Sequence, residues 1–462
     1  MNNTSLSLIK GLALSSSLLL VTACDIFDDE DDNSTETPTP MAKVQVIHAS
    51  PDAPMVDVYA GGSLLLDDFD YALASERLEV PAGTLNVDVQ AVLPDGTTPS
   101  VIGPVDLTLA ADMTYSVLAV NEVSSLSALV VERSNDPIAS GSFRAQVVHA
   151  APNAPMVDVF VTAPGADLAT SAALGTFEFE GSLGPVDVAA GDYQIRVTPA
   201  GTPGTVVYDS GTVSLSAGMD LTIAAVENTL TGDAPINLLV ATADGSLLLQ
   251  DQSAPADLRV VHASPDAPAV DVIVNDGATP LVANLAYPDA TGFVSVDAAT
   301  YNVKVAPTGT TNAVIDADLT LEQGETYSVL AVNEVASIEP LVLNSDRRRV
   351  ATESKVQIVH GSPSAGNVDI YVTAQGADIA NIEPTIADFA FKQTTDGFVA
   401  LPPGDYDISV TVTGTKTIAI GPLPVSLSGG SLYTIIARDA ARPNPGDAAT
   451  PFGVILLDDF GV

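Results

Sequence analysis

Four histidines occur in 462 residues, at His48, His149, His262 and His360. An aspartate follows each by nine residues: Asp57, Asp158, Asp271 and Asp369. Imidazole beside carboxylate is the chemistry of proton relays and of zinc ligation. A turn separates the two in every copy, as in VQVIHASPDAPMVDVY from Val44 to Tyr59. Proline sets φ and aspartate favours turns, so the chain reverses and resumes as a second strand. Such a reversal is expected to bring imidazole and carboxylate into hydrogen-bond reach. The favoured reading is a structural pin that holds the turn with a satisfied, partly buried polar pair. The competing reading is a metal or catalytic centre. Zinc takes three or four protein ligands, and the motif supplies two dependable ones. A third candidate, Asp52, becomes Asn153 in the second copy and Ser364 in the fourth, where Gly366 also replaces Pro54. No catalytic residue, metal ligand or cofactor is therefore assigned.

Other chemistry is sparse. The chain has no HExxH, GxSxG, phosphate-loop or dinucleotide fingerprint. Asp67-Asp68, Asp316/Asp318 and Asp458-Asp459 sit close in sequence, but with 58 acidic residues such neighbours arise by chance. Arg347-Arg348-Arg349 is the only basic cluster and reads as an exposed hinge.

The elements that must position the motif recur with it. Histidine spacings of 101, 113 and 98 residues define units of about one hundred residues, an ordinary domain size. Each unit holds about seven short runs of Val, Ile and Thr with period two, split by Gly, Pro and Asp, and no helical stripe. The expected fold is all-β: four tandem antiparallel β-sandwich domains resembling immunoglobulin-like folds. Tyr115, Tyr327 and Tyr433 read as corner tyrosines or core fillers. The first and third units share TYSVLAVNEV, whereas the second and fourth share DVFVTAPGADLA and DIYVTAQGADIA. A two-domain unit duplicated once accounts for this alternation. The expected boundaries are 43–134, 143–251, 257–345 and 355–462, joined by short linkers into a row about 140 Å long if each domain is about 35 Å across. The HASPDAP and VDV residues resemble the bacterial envelope family called domain of unknown function 4397. That resemblance implies an envelope location and a β-rich module without an established activity.

Residues 1–23 carry Lys10 and then an apolar stretch from Leu12 to Val21, too short to span a bilayer. They end Leu20-Val21-Thr22-Ala23-Cys24, which resembles the lipobox of bacterial lipoproteins. The resemblance implies a signal peptide cut before Cys24, the only cysteine, which is then acylated and anchored in a membrane. Residues 24–42 include Asp28-Asp29-Glu30-Asp31-Asp32 and read as a disordered acidic tether. Asp25 resembles an inner-membrane retention signal, while the acidic run resembles surface-export signals, so inner and outer membrane both stay open. Sixteen Lys and Arg against 58 Asp and Glu give a net charge of −42, which excludes a nucleic-acid binder. The function expected is a non-catalytic, lipid-anchored envelope protein, its domains facing periplasm or cell exterior. It would offer tandem sandwiches to an unknown protein or polymer ligand. The absence of Trp disfavours a sugar platform. An envelope enzyme or metal-dependent module using the His/Asp pairs is the alternative.

Overall fold

The computed structural model describes residues 39–441 and 452–459. The expected signal peptide, Cys24 and all but the end of the expected tether lie outside the described residues. Repeat one contains β1 (Met41–His48), β2 (Val56–Ala60), β3 (Ser63–Phe69), β4 (Leu78–Pro81), β5 (Gly83–Ala91), β6 (Ser100–Leu109), β7 (Met113–Val120) and β8 (Ser127–Ser134). Two residues assigned to the tether, Met41 and Ala42, thus belong to β1, where Ala42 is fully buried. The strands form two four-stranded sheets, β4-β1-β7-β8 and β3-β2-β5-β6. β1 and β7 pair in parallel and all other neighbours antiparallel. Eight strands replace the seven expected because a four-residue edge strand such as β4 is too brief to display a period.

Repeat two contains β9 (Ser142–His149), β10 (Val157–Thr162), β11 (Gly175–Phe177), β12 (Ser182–Ala189), β13 (Gly191–Pro199), β14 (Tyr208–Leu215), β15 (Asp220–Glu227), β16 (Ile236–Thr242) and β17 (Gly245–Leu249). Its plan is the same, except that β17 adds a fifth strand to the sheet β12-β9-β15-β16-β17. Repeats three and four return to two four-stranded sheets each. The described chain is all-β, four two-sheet sandwiches in succession.

The repeats are not separate beads. In β1 the side chains of Val44 and Val46 enter the core of their own sandwich. Ile47, and Ala49 just beyond the strand, point the other way, into a second core shared with repeat two. Val148, Ala150, Ala224, Val226 and Leu239 supply the other side of that core. The sheet holding β1 is therefore covered on both faces, which explains why apolar Val46 and Ile47 follow each other instead of alternating with polar residues and why Gln45 and His48 are buried as well. Repeats three and four share an equivalent core of Val261, Ala263, Leu330 and Val332 against Val359, Ile436 and Ile455. Each pair is thus a stack of four sheets.

Polar contacts fix each stack. Arg133, whose side chain is fully buried, lies 3.2 Å from Asp220 of repeat two, and Arg77 reaches the same carboxylate at 2.8 Å. In the other pair Arg259 of repeat three meets Asp459 of repeat four, and Thr434 donates to that same carboxylate.

The pairs also touch each other, which corrects the expectation of an extended row. Arg348, in the linker between repeats three and four, donates to the carbonyl of Ala53 at 2.7 Å, pairs with Asp70 and lies 5.5 Å over the Tyr71 ring. The nearby Ala351 N–H donates to the Asp52 carbonyl at 2.8 Å. Arg348 is only 8% exposed, so this basic run is a docked strap and not an exposed hinge. The reason is local: an aromatic face, a carboxylate and a free carbonyl of repeat one together satisfy one guanidinium.

Candidate functional site

Every histidine closes the first strand of its repeat and is at most 2% exposed. Its Nε2 reaches the carbonyl of the residue six positions on: Pro54 at 3.1 Å, Pro155 at 3.2 Å, Pro268 at 3.0 Å and Gly366 at 2.7 Å. A carbonyl only accepts, so Nε2 carries the proton. Nδ1 then accepts from the backbone N–H two residues on, at Ala151, Ser264 and Ser362. In repeat one Nδ1 of His48 is buried without a partner. Burial lowers the pKa of all four rings, that of His48 to about 4. The imidazoles are therefore neutral clamps across the HASPDAP turn. Gly366 does not loosen the fourth turn, because the clamp uses a backbone carbonyl and not the proline ring.

Each ring also meets an aromatic edge-on. Tyr71 lies 6.1 Å from His48, Phe179 6.3 Å from His149, Tyr287 5.8 Å from His262 and Phe391 6.2 Å from His360. The tyrosines of repeats one and three reach into their partner repeats. Tyr71 donates to the Glu227 carbonyl at 2.6 Å, and Tyr287 to that of Asp439 at 2.5 Å. These aromatics escape a sequence reading because they fall 23 and 25 residues after the histidine in repeats one and three but 30 and 31 in two and four.

The aspartates do not meet the histidines. Each sits on the second strand, in the other sheet, and faces away from the sandwich. Asp57 accepts from the Asp68 N–H at 3.1 Å, Asp271 from Asn284 at 2.8 Å and Asp369 from Asp388 at 2.9 Å. The three donors have φ near +50°, a conformation that Asp and Asn tolerate best after glycine. Asp158 takes Thr176 instead, and Asp158, Asp271 and Asp369 each gain a second tie from Gly201, Gly309 or Gly414. The Gly309 N–H is the chief cause of the lowered pKa of Asp271. The expected His/Asp pair thus resolves into two independent pins. Period two along each strand, together with the change of sheet between them, separates the side chains.

Of the acid neighbours, Asp459 is the buried partner of Arg259, and Asp316 and Asp318 both accept from Asn302. Asp57, Asp67 and Asp68 bring three carboxylates within 4.8 Å of one another. Tyr115 and Tyr327 accept a backbone N–H from five residues upstream, Ala110 and Glu322, and so hold a strand corner.

Fold and site together define a tandem β-sandwich protein built on a histidine-clamped turn. The chain belongs to the family described as domain of unknown function (DUF4397), whose family model matches residues 42–160 and 256–371, just over half of its length. Each match starts on the first strand of an odd repeat and runs to the second strand of the next. Comparison with curated proteins found no match. Among solved structures, the Bacillus anthracis TIE protein aligns at 10% identity and a TM-score of 0.14, over 86% of this chain and 68% of that one. No helix among the described residues is long and apolar enough to cross a membrane.

Proposed function

We propose that this chain is a non-catalytic, lipid-anchored protein of the bacterial envelope. Its paired sandwiches serve structural or adhesive contact with a protein or polymer. One observation carries the non-catalytic reading. The repeated histidines, the residues best suited to chemistry, all spend Nε2 on their own turn, three of the four spend Nδ1 there as well, and all are buried, which lowers their pKa. A general base needs a free, reachable nitrogen near neutral pKa. The anchor rests on Cys24 and the apolar run before it. The working unit in this reading is a pair, because each repeat hides one sheet against its neighbour.

The test has two arms. Cys24→Ser is expected to move the protein from the membrane fraction to the soluble fraction; retention as tight as wild type sinks the anchor. The mature chain, and the second pair alone (residues 256–462), would also be used to capture envelope components and assayed for turnover with and without chelator. Metal-dependent turnover would replace this reading with an enzymatic one.

A further inference from the structure

Repeat one is hollow between its sheets. A cavity of about 220 Å³ lies there, lined by Val46, Val58, Val89, Val117 and Val130 and opening beside Ala128 between β6 and β8. The same place in repeat three holds about 60 Å³, and in repeat two about 30 Å³. Strand register shows why. Ala119 faces Ala128 in repeat one, while the equivalent Ala225 faces Leu238 in repeat two. Val117 and Val87 of repeat one correspond to Ile223 and Ile195, each a methylene larger. In repeat three the position of Ala128 is taken by Pro340, opposite Ala331. Repeat two is also shut from the side, where Tyr208 donates to the Leu249 carbonyl of β17 at 3.0 Å. In repeat one Val105 and Val130 stand 48% and 40% exposed at the opening.

Apolar cavities of roughly 150 Å³ stay dry and take benzene-sized ligands, whereas a few tens of cubic ångströms suit a water at most. We propose that repeat one binds the alkyl chain of a small cationic amphiphile, inserted sideways between β6 and β8. The apolar lining selects the chain. The head group is selected just outside the opening, where Asp106 of β6, exposed on the outer face of its sheet, accepts from Asn86 Nδ2 at 2.8 Å. The net charge of −42 reinforces that choice, since it favours approach of a cation and opposes a fatty-acid carboxylate.

The experiment titrates the mature chain with octylammonium, octan-1-ol and octanoate, reading Val and Ala methyl shifts by NMR and affinity by calorimetry. One octylammonium per chain is expected, bound at least tenfold more tightly than octanoate, with octan-1-ol between them. Ala128→Leu, which copies the filling in repeat two, should weaken binding at least tenfold while leaving the melting temperature unchanged or higher. Asp106→Asn should keep octan-1-ol binding and abolish the preference for a cation. The proposal is overturned if octylammonium leaves the repeat-one methyls unmoved, if a correctly folded Ala128→Leu binds as well as wild type, or if octanoate binds as tightly as octylammonium.

Discussion

Repeats one and two share a topology, a histidine clamp and one of their two cores, yet one is hollow and the other filled. Repeat two gathers Phe143, Tyr208, Leu221, Ile236 and Leu238 into one continuous core. The core of repeat one is split in two, around Tyr115 at one end and Phe69 at the other. The motif that identifies the module therefore fixes how the chain turns and which strands pair. It leaves the filling of the sandwich free to vary. A closed repeat beside an open one lets the pair keep stability in one half while the other retains space.

If repeat one leans on its neighbour, cutting the link between them should cost most. Asp220→Ala leaves Arg133, and Arg77 beside it, without their carboxylate. Removing one partner of a buried ion pair costs about 3–5 kcal/mol, and a urea titration should show the midpoint fall accordingly. An unchanged midpoint would mean that the shared apolar core alone holds the two together.

Hollowing repeat two tests the comparison from the other side. Leu238→Ala recreates the residue found in repeat one and should cost about 2–5 kcal/mol, because a packed core relaxes only partly around a lost side chain. A loss well below that range would show that repeat two can collapse where repeat one does not.

The clamps should make stability pH-dependent. A histidine whose folded pKa lies below its ordinary 6.5 is more protonated unfolded than folded. Its contribution is complete above about pH 6.5 and is lost as the pH falls; for His48 the loss runs down to about pH 4. Melting temperature should therefore drop between pH 7 and pH 5. His48→Gln should flatten that drop while itself costing roughly 1–3 kcal/mol through the stranded turn carbonyl. A melting temperature level across this range in the wild type would contradict neutral buried clamps.

Tyr71→Phe should matter least, about 1 kcal/mol for one net hydrogen bond to Glu227. Repeats two and four already carry Phe at this place, so the ring is tolerated there without its hydroxyl. A Tyr71→Phe loss as large as that of Asp220→Ala would make the hydroxyl, and not the ion pair, the main lock.

Much of this architecture is legible in the sequence. The four histidines in register fixed the repeat, and the alternation of TYSVLAVNEV with the longer VTAPGADLA-type segment pointed to pairs. The turn residues and period-two runs gave the sandwiches. The partners of the motif were not legible. Nine residues between His48 and Asp57 say that a turn intervenes, but not that the chain changes sheets there. The docking of Arg348 was hidden because its partners, Ala53 and Asp70, lie almost 300 residues away. The hollow in repeat one depends on comparing Ala128 with Leu238, and these align only once strand register is known.

The sheet covered on both faces has a consequence for how such genes can lengthen or shrink. Deleting a single repeat by recombination would leave Ile47, Leu118 and Val120 of the orphaned neighbour facing water, an apolar surface prone to association. Excising repeats one and two, or three and four, together removes a self-contained stack. Copy number in this lineage should therefore be inherited in even steps. The laboratory counterpart is simple: residues 40–251 should remain soluble and monomeric, whereas residues 40–141 should aggregate.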